Sequence, residues 1–225
     1  PEQAVAAGSI DRMQYELKQE GLLIQLGNAI VREEGQLPPA QLKARYDIRL
    51  PAQCPVYIHN AFGTIELSDL VNESEINGEF CRISLDNLKG TIIIDTYYGD
   101  VEGNVLEGNI RIDATHSDIT LRGMSGHFDI KATYSLMRLH ATEKLNALFV
   151  DATQSDVELS HPDLGGSQYM IAVSNGQIVA PNFLDLKFLE NSPSYKRARH
   201  LVSRELPQAN IRLSVSYGDV HLYHQ

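Results

Sequence analysis

Only two cysteines, Cys54 and Cys81, occur in 225 residues, so no disulfide framework organises this chain. No apolar run reaches the roughly 18–20 residues that a membrane-spanning helix needs, so no membrane span is expected. Positive charge is scarce: 19 Lys and Arg stand against 29 Asp and Glu, for a formal net charge of −10. That balance excludes a nucleic-acid phosphate backbone as partner and leaves neutral or cationic partners open. There is no H-E-x-x-H, no Cys pair at zinc-ligand spacing and no Gly-Gly-x-Gly-x-Asp calcium repeat, so neither a metal nor another cofactor is expected. The chain begins at Pro1 without an initiator Met, which fits either trimming or a removed leader. A removed leader would mean export.

What the sequence does contain is a repeat. Tyr98-Gly99-Asp100-Val101 returns as Tyr217-Gly218-Asp219-Val220. Taking the small central residue as position zero, equivalents are Gly63, Cys81, Gly99, Ser117, Ser135, Ser155, Gly176 and Gly218. They are spaced by 18, 18, 18, 18, 20, 21 and 42 residues, the last being twice 21, as if one repeat were skipped or replaced. Position +2 holds Ile65, Ile83, Val101, Ile119, Met137, Val157, Ile178 and Val220, and position −5 holds Ile or another aliphatic residue in every copy. Positions −7 and +4 are also mainly apolar, and Leu70, Leu88, Leu106 and Met124 mark +7.

Within each copy the apolar residues alternate with polar ones, which is strand period with one face buried. The phase breaks at position zero, where a small residue suits a corner. Further turns are expected at Asp69 and Asn72, at Asn87 to Gly90, around Gly103 to Gly108, and at Gly123 to Gly126. An 18-residue unit is too short for a βαβ crossover. It fits one coil of a parallel β-solenoid, in which equivalent residues stack and neighbouring coils bury each other's apolar faces. An antiparallel β-sandwich also has many short strands, but it does not require one residue type at a fixed period. The fold class expected is therefore all-β: a right-handed parallel β-helix with 18–21-residue coils.

One domain over 1–225 is expected, with 1–50 as an N-terminal cap or irregular first coils, 51–183 as regular coils, 184–210 as an insertion and 211–225 as the final coil. MQYELKQEGLLIQLG reads as two strands with a turn at Glu20-Gly21, and Ala44 to Leu50 as a strand leading into the first coil. In the insertion, Ser192-Pro193 is a helix-start signal, and Tyr195, Ala198, Leu201 and Val202 share one helical face. A short helix or a long irregular loop both fit. Either would fold over the edge left bare by the final coil.

Candidate chemistry is sparse. His116-Ser117-Asp118 has the letters of a triad, but adjacent strand residues point apart, and the copies YGD, YSL and QSD show a structural column. Asp100, Asp118, Asp156 and Asp219 share position +1, and Asp95 and Asp113 share −4. Stacked carboxylates either hold a cation or accept turn N–H bonds, and the second is expected. Cys54 and Cys81 lie one and a half coils apart, so no disulfide joins them, and Cys81 substitutes for Gly or Ser at a corner. Phe62, Phe80, Tyr98, His116, Tyr134 and Tyr217 share position −1, which either packs along the corner or stacks on sugars. Thr115, Thr133 and Thr153 sit at −2 with Tyr97, as a solvated row. Lys196, Arg197, Arg199, His200 and Arg204 form a basic cluster on an acidic chain and are the ligand-binding candidates for an anionic glycan or a protein partner.

The entry RLPAQCPVYIHN with NAFGTIEL, the TYYGDVEG-type coils and the closing IRLSVSYGDVHL resemble the bacterial adhesin family, a domain of unknown function in secreted and envelope proteins. The resemblance covers residues 10–225. It implies a right-handed parallel β-helix and export to the periplasm, cell surface or medium, and it brings no catalytic residues. The function expected is a non-enzymatic surface-interaction protein with a cell-surface glycan or protein as partner. Two alternatives stand beside it. One is a polysaccharide-lyase-like enzyme, which needs a groove with basic and acidic groups beside Lys196 to Arg204. The other is a scaffold that assembles through its edges or faces.

Overall fold

A computed structural model describes residues 9–31, 43–202 and 207–225. The chain divides into two compact units, residues 1–49 and residues 50–225. In the first, β1 (Met13–Glu20) and β2 (Leu23–Ile30) pair antiparallel in full register, from Met13 with Ile30 to Glu20 with Leu23. Gly21 takes a left-handed φ of 63° in the turn, where glycine is tolerated at little cost. The alternation places Met13, Tyr15, Leu17, Ile24, Leu26 and Ile30 on one face of this hairpin. Residues 43–50 form no strand, contrary to the pattern over Ala44 to Leu50: no described neighbour offers them a ladder.

The second unit is the solenoid. Its strands are long because they bend around corners without breaking the ladder: β3 (Val56–Ser68), β4 (Ser74–Tyr97), β5 (Val101–Thr115), β6 (Ile119–Thr133) and β7 (Leu136–Thr153). Each pairs parallel with the next, 18 residues on, so Ile65 lies over Ile83, Ile83 over Val101 and Val101 over Ile119. The columns at −7, −5, +2, +4 and +7 form one continuous core, with Ile76, Ile83, Ile94, Ile112, Ile119 and Ile130 fully buried. Each such side chain contributes about 1.5–3 kcal/mol by leaving water. The alternation also turns −3 inward, where Thr96, Ala114, Ala132, Ala152, Val173 and Val215 line the core beside the corner. The two extra residues of the 20-residue spacing are absorbed as register shifts between Arg122 and His127.

The corner works differently from the expectation that position zero makes the turn. The left-handed residue is the one before it: Phe62, Phe80, Tyr98, His116, Tyr134, Gln154, Asn175 and Tyr217 all have φ between 50° and 70°. Position zero points inward instead. Ser117, Ser135 and Ser155 are buried there, and each hydroxyl accepts the N–H of position zero in the adjacent layer: Gly99 to Ser117 (3.0 Å), Ser117 to Ser135 (3.4 Å) and Ser135 to Ser155 (2.9 Å). Each serine donates to the carbonyl two residues before it. Smallness is needed at Gly99 because a Cβ there would overlap the Cys81 carbonyl oxygen.

A second left-handed column, Asp69, Asn87, Val105 and Gly123, makes the next corner. Asn87 donates to Asp69 there (2.6 Å). Asp, Asn and Gly tolerate this conformation, whereas a β-branched residue does not. Val105, with φ 53° and half its surface exposed, is the misfit. Val105→Asn should stabilise the fold by about 1 kcal/mol, raising Tm by roughly 2–4 °C in a calorimetric scan. An unchanged or lower Tm would show that the valine makes a compensating contact.

The upper end departs from chain order. β8 (Asp156–His161) continues the layer of β7, and β9 (Gln168–Ser174) and β10 (Ile178–Val179) make the next layer in sequence. They do not stack on it. β13 (Asn210–Ser216) lies between β7 and β9, parallel to both, and β14 (Val220–His224) lies between β8 and β10. No repeat is skipped: the 42-residue gap is a coil threaded back into the stack. The final coil is thus an inner one, and the expected bare outer edge at 211–225 does not exist.

Among its described residues the insertion holds no helix. It forms a hairpin, β11 (Lys187–Asn191) and β12 (Tyr195–His200), whose β12 pairs antiparallel with β9. Ser192 closes the turn, its hydroxyl accepting from Tyr195 N–H and donating to Tyr195 O (both 3.0 Å). The open edge of β9 offers a full ladder, and the alternation Lys196, Ala198, His200 fits it. Ala198 is fully buried. The hairpin therefore covers an edge as expected, but that of β9, and a bulge between Phe188 and Glu190 blunts the outermost strand.

Candidate functional site

Five corner residues of β3 to β7 form a face-to-face ladder. Ring centroids are 5.0 Å apart for Phe62 and Phe80, 5.3 Å for Phe80 and Tyr98, 4.6 Å for Tyr98 and His116, and 4.5 Å for His116 and Tyr134, all within 6° of parallel. The layers impose this spacing, because identical φ values aim equivalent rings along one line. The ladder packs on itself yet stays exposed, with Phe62 71% and Tyr134 49% accessible. It therefore presents ring edges to solvent, since the faces of the inner rings are covered by neighbours.

Tyr97 is the exception. It lies at 73° to Tyr98 with centroids 4.4 Å apart. Both faces of Tyr98 are taken by Phe80 and His116, so the ladder edges meet Tyr97, which also lies near-perpendicular to Phe80 and His116 and is 45% exposed. The Tyr98 hydroxyl beside it pushes the Tyr97 phenol above its usual pKa. Tyr97 also lines a concavity of about 220 Å³ with Asn77, Glu79, Asp95, Asp113 and Thr115. Register explains the grouping: Asp95 pairs with Asp113 and Tyr97 with Thr115 on the outward side of the long face. An aromatic face rimmed by carboxylate, amide and hydroxyl groups can stack on an apolar ring face and accept O–H or N–H bonds from its edge.

The other candidates resolve into architecture. The aspartates at +1 accept backbone N–H groups from the adjacent layer: Asp100 from Asp118 (3.3 Å), Asp118 from Leu136 (3.0 Å), Asp156 from Asp219 (2.8 Å) and Asp219 from Gln177 (2.7 Å). Of the His-Ser-Asp run, His116 is in the aromatic ladder, Ser117 in the serine ladder and Asp118 in the aspartate ladder. Cys54 and Cys81 are free thiols, and burial pushes the Cys81 thiol up. Among the described residues, no group of three His, Cys, Asp or Glu is placed to hold a metal ion. Nor, among the described residues, is any helix long and apolar enough to cross a membrane.

The basic residues of the insertion divide between two faces of β12. Lys196 turns inward and its ammonium donates to Gly176 O (2.9 Å). His200 also turns inward, with Nδ1 2.9 Å from Asp185 O and Nε2 3.3 Å from Gly165 O. Arg197 and Arg199 point outward, in register with Ala172 and Met170. Arg204 lies outside the described residues.

Sequence reasoning missed one contact with a chemical look. Ser160 Oγ lies 2.7 Å from His140 Nδ1 and accepts from the Gln225 amide (3.0 Å). No carboxylate hydrogen-bonds His140 among the described residues, and Ser160 is nearly buried, so the third member of a nucleophile–base–orienter set is missing. The equivalence of positions +5 in adjacent layers was the signal for this pair. Nearby His161 is fully buried, its Nδ1 accepting from Asp163 N–H (3.0 Å), and burial holds its pKa below the usual 6.5. Comparison with known proteins adds nothing to this geometry: no family model, curated protein or solved structure matches the chain.

Proposed function

We propose that this chain is a non-catalytic interaction module of the cell envelope or secreted space, and that it binds a neutral or amino-bearing glycan at the Tyr97 concavity. The observation that carries the reading is the half-exposed Tyr97 ring in a concavity it shares with Asn77, Glu79, Asp95, Asp113 and Thr115. A pyranose offers a C–H face to such a ring and hydroxyls to such a rim. Three carboxylates on the rim disfavour an anionic glycan, which turns attention from the basic insertion to the opposite charge. The adhesin resemblance of the sequence points to the same class of role. The lyase-like alternative draws less support, because Lys196 and His200 are already engaged by backbone carbonyls.

A glycan and matrix-protein binding screen on the purified protein tests this. Tyr97→Ala should weaken binding of a hit about tenfold, the loss of roughly 1.5 kcal/mol of stacking. The melting curve should fall by no more than a few degrees, since Tyr97 loses only its edge contacts to the ladder, and the protein stays folded at the temperature of the assay. A screen without hits at high protein concentration would remove the glycan reading.

A further inference from the structure

The threaded C-terminal coil carries an inference about assembly. Residues 210–225 fill a slot that has two walls along β13 and at Val220 and His221, beyond which β14 lies on β8 alone. On the long face, β13 pairs from Asn210 to Ser216 with Ala147 to Thr153 on one side and with Gln168 to Ser174 on the other. On the second face, Val220 pairs with Val157 and with Ile178. The inward residues Ile211, Leu213, Val215, Val220 and Leu222 are all at most 2% exposed. Position zero of this coil must be glycine, because a Cβ on Gly218 would overlap the Ser155 carbonyl oxygen, and one on Gly176 would overlap that of Gly218. Asp219 is held on both sides, donating its N–H to Asp156 and accepting from Gln177. The slot thus selects a strand with this alternation, this glycine and this aspartate.

Two features separate the slot from the chain that fills it. First, the tether is long. From His200 to Asn210 the chain crosses one strand, β9, a distance of about two strand spacings or 10 Å, whereas ten residues can span about 33 Å. Second, the walls are in register with each other: Ile211 faces Leu148 and Tyr169, and Leu213 faces Val150 and Ile171. A molecule whose coil has left keeps the β7–β8 wall in the stack, and an identical coil restores the same ladders to that wall and seats the 168–179 layer again in register. Self-pairing satisfies the same hydrogen bonds whichever copy supplies the strand.

We propose that residues 210–225 are an exchangeable strand, and that the slot between the 136–161 and 168–179 layers accepts the same coil from a second copy of this chain. The exchange links two molecules without creating an interface that the monomer lacks, and it can extend to longer chains of copies.

The test uses the full chain in a Cys54→Ser background. Asp151 and Ser214 are exposed register partners across the slot wall. Asp151→Cys and Ser214→Cys chains are mixed, incubated at high concentration and treated with a short thiol cross-linker. A covalent dimer is expected from this mixture, and none from Asp151→Cys mixed with Lys89→Cys, an exposed site on a distant layer. Unmodified chains of two isotopic masses give a second readout, mixed dimers by native mass spectrometry, free of any substitution. Monomer alone in both experiments, or equal cross-linking of the Lys89→Cys control, would overturn the proposal.

Discussion

Gly99→Val should destabilise the solenoid by about 3 kcal/mol and lower Tm by roughly 6–12 °C. The cause is local and steric. A Cβ at Gly99 would overlap the Cys81 carbonyl oxygen, a backbone atom locked in the ladder of the adjacent layer, so two layers must part for the side chain to fit. The valine methyls would press further into a position where other layers hold nothing larger than Ser or Cys. Gly99→Ser brings the same Cβ against the Cys81 carbonyl oxygen and should also destabilise, by less than valine only because one hydroxyl replaces two methyls. Ser117→Gly isolates the other half of the corner. It leaves Gly99 N–H without its acceptor and should cost about 1 kcal/mol. A Gly99→Val protein melting within 1 °C of the parent would show that the layers are not in close contact at this corner.

Leu213→Asp should have the second large effect, and an uneven one. Leu213 is fully buried between Val150 and Ile171. A carboxylate there has no partner and would cost several kcal/mol, enough to expel the coil. Every ladder that joins residues 168–200 to the layers below runs through β13 and β14. Hydrogen exchange should therefore accelerate over 168–200 and 210–225 while residues 74–133 stay protected. Uniform loss of protection would mean that the stack melts as one unit; uniform retention would mean that the lower layers hold 168–200 directly.

The parts of this fold that could be read in advance are those where stacking forces identity of residue type. Ile58, Ile76, Ile94, Ile112 and Ile130 recur every 18 residues because each packs on its predecessor. The −3 column was not legible: Gly78, Thr96 and Ala114 differ in polarity and share only small size, which is what the space beside the corner admits. The left-handed backbone at Tyr98 was hidden for another reason. Aromatic residues do not prefer that conformation; it recurs at Gln154 and Asn175, which carry no ring, so the backbone bonds to the adjacent strand, such as Tyr98 N–H to Thr115 O and Gln154 N–H to Ser216 O, hold it rather than intrinsic preference. Residues 195–202 satisfied both a helical and an alternating pattern, and only the open edge of β9 decides between them. Layer order was beyond reach altogether, since periodicity assigns Leu213 to a column but says nothing of which layers it joins. The Tyr97 concavity shares that limit: Asp95 and Asp113 were visible as a pair, whereas the orientation of Tyr97 comes from Phe80 and His116 covering the faces of Tyr98.

Threading also reverses the usual timetable of a repeat protein. Coils of a simple stack can settle one after another as the chain leaves the ribosome. Here residues 168–200 emerge before the strand on which they must lie, while Val157 and Leu159 wait with their outer edge unpaired. Elongation at about 5–20 residues per second leaves that edge open for seconds. During this interval the nascent chain displays an unfilled parallel edge, the kind of surface that chaperones and neighbouring nascent chains recognise. The layers that residues 210–225 join stay apart until those residues arrive.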